Sequence, residues 1–357
     1  MSFANKFTGH PNTKYETTKE VKELYRKLAN LSHKNFILFG QEDCTAYGVN
    51  WKSESNRSDV KDVCGYHPAL YGWDVGGIEL GDTQNLDCVA FDEIRMLIKE
   101  AHKRGGVNTI SWHLHNPVTE KNSWDTEEGS VDEILEGGAF HAKFNLYLDR
   151  LAEFLSTLKT DDGTFIPIIF RPWHEHTGNW FWWGAKRCTA EAYIKLWQHT
   201  VDYLTNEKKL KHLLFAYSTD RVNSMEEYFE RYPGDSYIDI LGMDLYHRGG
   251  ADTSKKFVND ANSLLTDISK EAKQRGKISA FTETGLKTVN QPNWWTEVLL
   301  QSIKDTGIAY VLIWRNPVGK AMHCFGPYKG HENNVNFIKF VNIPNIITEK
   351  NINILHK

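Results

Sequence analysis

The 357-residue sequence has no long apolar run; the longest clean stretch, Phe165 to Phe170, is far too short to cross a bilayer, so a membrane-spanning helix is excluded. Cysteine is scarce. Cys44, Cys64, Cys88, Cys188 and Cys324 are scattered and odd in number, and none sits in a C-x-x-C or Cys/His pair. That spacing gives neither a zinc site nor a dense disulfide framework. The thiols read as mostly free, with one incidental disulfide left open. An excess of one charge is also missing. With 42 Lys+Arg against 46 Asp+Glu the net charge is −4, which offers polyanions no attraction and argues against nucleic acid as a partner. No linker, low-complexity tract or charge block divides the chain. Met1 to Lys6 lacks the apolar core of a signal peptide, as in a cytoplasmic protein or a mature secreted one whose leader has been replaced by a start methionine.

Aromatic residues, by contrast, are abundant: 12 Trp, 15 Tyr and 18 Phe. Several lie in polar, glycine-punctuated stretches rather than in periodic apolar patterns, which favours a site that stacks flat ligands. Eight short apolar runs alternate with longer segments of helical period. They are Asn35–Phe39, Leu70–Trp73, Val107–Trp112, Phe165–Phe170, Leu213–Tyr217, Ile238–Met243, Ile278–Phe281 and Ile308–Trp314. Their starts recur about every forty residues, room for a strand, a helix and two loops. Phe91, Ile94, Leu97, Ile98 and Ala101 form one helical stripe, stopped at Arg104-Gly105; Phe144, Leu148, Leu151, Leu155 and Leu158 form another. Ala190–Leu204 and Phe257–Ala272 are further helix candidates.

Eight strand–helix units predict a single (β/α)₈ TIM barrel spanning residues 1–357, with elaborated βα loops forming a substrate cleft. Residues 1–34 are expected to form an N-terminal extension or helix packed on it. A doubly wound open sheet is the alternative, but no G-x-G-x-x-G or Walker-type glycine loop follows an early strand. A barrel gathers chemistry where strands end, and there the chain reads Gln41-Glu42-Asp43, Trp73-Asp74, Trp112-His113-Leu114-His115-Asn116, Arg171-Pro172-Trp173-His174-Glu175, Ser218-Thr219-Asp220, Asp244-Leu245-Tyr246-His247, Thr282-Glu283-Thr284-Gly285 and Trp314-Arg315-Asn316. Glu175 and Glu283 stand out. Glycoside hydrolysis needs such a pair, one carboxyl to protonate the leaving oxygen and one to meet the oxocarbenium-like carbon from the opposite face. Carboxyls roughly 5–5.5 Å apart retain configuration, and a wider gap inverts it.

These motifs carry a family resemblance. Arg171-Pro-Trp-His-Glu-His-Thr-Gly-Asn-Trp-Phe-Trp-Trp-Gly184 resembles the acid/base signature of glycoside hydrolase family 26, the β-mannanases of the large retaining barrel clan. Phe-Thr-Glu-Thr-Gly285 resembles its nucleophile motif and Ile313-Trp-Arg-Asn316 its strand-eight motif. Phe39–Gly48 and Ser111-Trp-His113 are also similar to family segments, so the likeness runs in order from about residue 36 to 330. It implies Glu175 as general acid/base and Glu283 as nucleophile. It further implies His174 in the −1 subsite, Tyr246 as hydrogen-bond donor to Glu283, Trp180 and Trp314 as platforms for pyranose faces, and His113 and Arg315 as ligands for glycone hydroxyls. Gln41 stands where the family commonly begins a His-Gln pair, and His176-Thr177 replaces the usual Met-Asn.

The activity so implied is retaining cleavage of β-1,4-mannosidic bonds in mannan, glucomannan or galactomannan, endo-acting or releasing mannobiose. A β-1,3-xylanase or β-1,3-1,4-glucanase of the same family is the alternative, and a non-catalytic carbohydrate-binding protein the rival from another class. His113-x-His115 also raises a metal-dependent hydrolase. No cofactor or metal is expected for the chemistry. The protein is expected to be a monomer with a polysaccharide substrate, secreted or periplasmic with its leader absent; a cytoplasmic location stays open. Trp182 and Trp183 are read either as loop wedges or as sugar contacts, Arg171 as a brace for the carboxylates, and Asp74 and Asp244 as partners of loop backbone. His115, His176 and His247 are divided between cleft rim and structural roles. The loop from Pro117 to Gly138 and the stretch Met322–Glu332 are expected to wall one end of the cleft.

Overall fold

The computed structural model describes residues 13–319 and 321–356, so residues 1–12 of the expected N-terminal extension lie outside the described residues. All eight runs form strands: β1 (Ile37–Glu42), β2 (Leu70–Asp74), β3 (Val107–Ser111), β4 (Ile168–Arg171), β5 (Leu213–Thr219), β6 (Ile240–His247), β7 (Ile278–Leu286) and β8 (Tyr310–Ile313). Each pairs in parallel with the next, and β8 returns to β1 with Leu38 beside Tyr310 and Gln41 beside Ile313. The sheet is a closed (β/α)₈ TIM barrel, and the open-sheet alternative is excluded by that last pairing. A short segment, Ile346–Ile347, adds alongside the start of β1.

Helices α1 (Lys19–His33), α2 (Phe91–Lys103), α3 (His141–Ser156), α4 (Ala190–Asp202), α5 (Ser254–Arg275) and α6 (Asn334–Val341) are the longer ones. The Thr18 and Thr189 hydroxyls cap α1 and α4 by accepting from Val21 and Ala192 amides, satisfying first-turn donors that the helices leave unpaired. In α2 the five apolar residues of the sequence stripe are all buried, and Arg104 ends the helix as read. The second stripe buries Phe144, Leu148, Leu151 and Leu155 on α3, while Leu158 is buried just past its end.

The core has two layers. Outward-facing strand residues such as Phe39, Ile110, Phe170 and Phe215 pack under the helices. Inward-facing residues Leu38, Ile169, Leu214, Ile240, Ile278 and Tyr310 fill the barrel, and Val21, Leu24, Tyr25 and Leu28 of α1 belong to the same buried cluster, closing the N-terminal mouth. Above that plug the interior-facing positions change character. Glu42, Asp74, Ser111, Arg171, Ser218, Asp244 and Glu283 are all buried. Glycine makes room for them: a Cβ at Gly72 would lie 1.9 Å from Glu42 Oε2.

Candidate active site

The segment after β4 leaves the strand by an unusual path. Trp173 and Glu175 both have φ of 53°, a left-handed conformation that costs energy for bulky side chains and persists only where surroundings impose it. The anchors are visible. Trp173 is buried between sheet and helices, donating from Nε1 to Thr200 Oγ1 at 3.1 Å while its carbonyl accepts from Tyr193. The Glu175 amide donates to the Ser218 carbonyl at 3.1 Å, and Trp183 Nε1 donates to the His174 carbonyl at 2.9 Å. The result sends Trp173 outward and turns His174 and Glu175 into the cleft.

On β7 a bulge does comparable work. Phe281 pairs with Met243 and Val311, but the next partners are Glu283 with Asp244 and Thr284 with Ile313, so β7 carries one extra residue against both neighbours. Plain alternation from Ile278 and Ala280 would put Thr282 inward and Glu283 under the helices. The extra residue lets both face the interior, the re-aiming that bulges achieve beside functional sites.

Glu175 and Glu283 line one cavity of about 620 Å³ with His113, His174, Trp180, Tyr246 and Trp314. Glu283 is gripped by two donors: Arg171 Nη2 reaches Oε2 at 2.6 Å and the Tyr246 hydroxyl reaches Oε1 at 2.5 Å. Arg171, fully buried, also bonds Asp244 Oδ2 at 2.6 Å through Nη1, and these anions raise its pKa further. Burial pushes Asp244 up to about 7 against the pull of Arg171, with the Glu283 charge adding to the rise. Glu175 has a different environment. Burial and the negative charges of Glu283, Asp244 and Asp220 hold its pKa well above the ordinary carboxylate range, opposed by a 2.6 Å hydrogen bond from Trp180 Nε1 to Oε2. Glu175 thus favours its proton while Glu283 sits between two hydrogen-bond donors, the unequal surroundings that acid and nucleophile roles need.

His113 Nδ1 lies 2.7 Å from Asp74 Oδ2, and its Nε2 lies 3.1 Å from His174 Nε2. Burial opposes a charge on His113, but the Asp74 carboxylate outweighs it and the pKa rises; burial, Arg171 and His113 drive His174 well below the usual imidazole range. Arg315 stands apart from the cavity wall. It bonds Asp87 Oδ1 at 2.9 Å and lies in the field of Tyr47 and Asp43.

The divided readings separate here. Trp182 and Trp183 are fully buried and donate to the Leu114 and His174 carbonyls, which makes them wedges. Arg171 is the carboxylate brace. Asp74 does accept from loop backbone, at Gly76, as well as holding His113. Asp244 departs from its reading: it faces the barrel axis, where its partners are Arg171 and Ser218 rather than loop amides. His176 is packed between Tyr193 and Tyr217, with ring centroids at 4.4 and 4.7 Å, and His247 lines the cavity while accepting from Trp294 Nε1. The His-x-His pair does not converge on a metal, because His115 turns to Glu79 at 2.9 Å while His113 turns to Asp74. Cys44, Cys64, Cys88 and Cys188 are free thiols. Among the described residues no helix is long and apolar enough to cross a membrane.

Sequence reasoning missed Trp124. This half-exposed indole from the 117–138 loop lines the cavity and stacks on His113, with centroids 5.4 Å apart and planes 13° off parallel. The signal was available: a Trp in the polar run Lys121-Asn-Ser-Trp-Asp125 has no core to serve. Phe325 and His323 reach the same cavity from the second expected wall.

A closed barrel whose strand ends set two glutamates in an aromatic cleft has the equipment of a glycoside hydrolase. Residues 13–295 match the sequence profile of glycosyl hydrolase family 26, and the chain belongs to that family. It is similar to the mannan endo-1,4-β-mannosidase of Bifidobacterium adolescentis, 35% identical over 348 residues, which are 90% of this chain and 34% of that protein, so the chain spans about a third of this relative's length. The mannan endo-1,4-β-mannosidase of Bacillus subtilis is 29% identical over 79% of this chain and 74% of its own. Among solved structures, a family 26 β-mannanase from Bacteroides ovatus superposes with a TM-score of 0.92 at 42% identity, covering 96% of this chain and 98% of that one.

Proposed function

We propose that this chain is a retaining endo-β-1,4-mannanase acting on mannan, glucomannan or galactomannan. The observation that carries the reading is the shared cavity: two glutamates from β4 and β7 ends, one surrounded by anions and one by donors, between aromatic walls. In the first step Glu283 attacks C1 while Glu175 gives its proton to the leaving oxygen, and the glycosidic bond breaks. In the second, Glu175 takes a proton from water as that water displaces Glu283 from C1. Trp180 and Trp314 offer flat faces to pyranose rings, and the hydrogen-bonded pair His113 and His174 lines the cavity where the sugar between the carboxylates would sit. Arg315, held by Asp87 outside the wall of this cavity, would meet glycone hydroxyls only of a sugar that extends beyond it. Names of the relatives favour mannan over the xylan and mixed-linkage glucan alternatives. A polysaccharide substrate favours a secreted or periplasmic location, and a monomer is proposed.

The test is hydrolysis of mannan, xylan and mixed-linkage glucan, with products followed in time. A ladder of manno-oligosaccharides from mannan is expected. Glu283→Ala is expected to abolish turnover and keep oligosaccharide binding. Preference for a non-mannan polymer overturns the substrate, and retained turnover in that variant overturns the mechanism.

A further inference from the structure

Trp180 does more in this structure than present a ring. It follows Glu175 by five residues in the loop after β4, and Gly178 between them permits the indole to fold back, since a Cβ there would lie 2.4 Å from the ring. The folded loop delivers Nε1–H to Glu175 Oε2 at 2.6 Å. A neutral carboxyl has one hydroxyl oxygen and one carbonyl oxygen, and an N–H donor selects the carbonyl. Oε2 is therefore the acceptor, and Oε1 is left to carry the proton.

We propose that Trp180 is a positioning residue for Glu175: its indole N–H holds Oε2, so that Oε1 delivers the proton to the leaving group and later takes one from water. The proposal deepens the hydrolase reading above and rests on it. In glycosylation the Oε1–H bond breaks as the leaving oxygen gains that proton and C1 bonds to Glu283. In deglycosylation a water O–H bond breaks, Oε1 gains the proton, and the water oxygen replaces Glu283 at C1. The indole gives up no proton in either step. Its bond to Oε2 strengthens when Glu175 becomes an anion, because hydrogen bonds to charged acceptors are stronger. Burial, Glu283 on β7, Asp244 on β6 and Asp220 after β5 favour the protonated form of Glu175, and the Trp180 hydrogen bond opposes them by favouring the anion.

Trp180→Phe separates the two functions, because it keeps a ring and removes the donor. With a manno-oligosaccharide, KM is expected to stay within about twofold while kcat falls about tenfold. The basic limb of the kcat/KM profile is expected to move to higher pH. Trp180→Ala is expected to raise KM as well. A Phe variant with wild-type kcat and pH profile overturns the proposal. A second measurement needs no substrate and no variant of Trp180: the indole ¹H–¹⁵N resonance of Trp180 in the intact protein is expected to titrate with Glu175 and to move upfield in Glu175→Ala. A resonance indifferent to both overturns the proposal whatever polymer is cleaved. A titrating resonance in a protein inactive on every mannan supports the hydrogen bond and overturns the mannanase reading instead.

Discussion

The acid role proposed for Glu175 rests on what lies around it rather than on its own chemistry. A carboxyl that must still hold its proton near neutrality needs burial and negative neighbours, and it has both. The sign for activity follows: a group that acts as an acid is competent below its pKa, so turnover is expected to hold on the acidic side and to fall as pH rises through the titration of Glu175. Removing the acid is expected to hurt unevenly. Glu175→Ala should lower kcat/KM for mannan by about 10³-fold or more, and by far less for activated aryl mannosides whose leaving groups need no proton. Equal losses on both substrates would contradict the assignment. Both glutamates were legible in the sequence because each ends an apolar run among Trp, His and Thr. Trp124 was legible only as a Trp in a polar run with no core to serve; its stacking on His113 is a contact between loop and strand end that no local spacing encodes.

Among the elements, β7 carries the heaviest constraint. Its bulge rests against β6 at a point without a side chain: a Cβ on Gly242 would lie 2.5 Å from Thr282 Cγ2. Gly242→Ala is therefore expected to push Thr282 and turn Glu283 out of line, costing about 1–3 kcal/mol of stability and at least about tenfold in kcat. Adding Thr282→Ala relieves the clash, so the double variant is expected to regain activity over the single one; steady-state kinetics on the two proteins decides it. The bulge is invisible in the string Phe-Thr-Glu-Thr, where alternation alone assigns Glu283 to the wrong face. Strand limits were legible only where they coincide with apolar residues. β6 and β7 run on to His247 and Leu286, past the ends of their apolar runs, because the upper barrel interior is polar. At β4 the strand starts later than the run, at Ile168, after Pro167, which has no N–H for a ladder.

At the scale of the whole molecule, buried imidazoles link stability to pH. Burial lowers His67 to about 3 and His212 to about 4, against 6.5 in an exposed site. Between pH 4 and 6.5 the unfolded chain binds protons at these positions that the native one refuses, so stability falls as the solution is acidified. Asp239, raised by burial to about 6, works in the opposite sense between its ordinary value and that pH. His212→Gln, which can still donate to the Leu155 carbonyl, is expected to flatten the slope by about 1.4 kcal/mol per pH unit, one proton's worth, in urea titrations. An unchanged slope would mean that His212 is charged in the native state. The eight-fold alternation made the barrel readable from end to end, because each unit repeats the same apolar period.

The helix that stoppers the barrel, α1, comes before every strand whose lower end it covers. A shortened gene product that started at β1 would be born with an oily mouth open to water, ringed by Leu38, Ile169, Leu214 and Ile278. Two such chains would be expected to press those mouths together into a sticky pair while the cleft at the far end stayed intact.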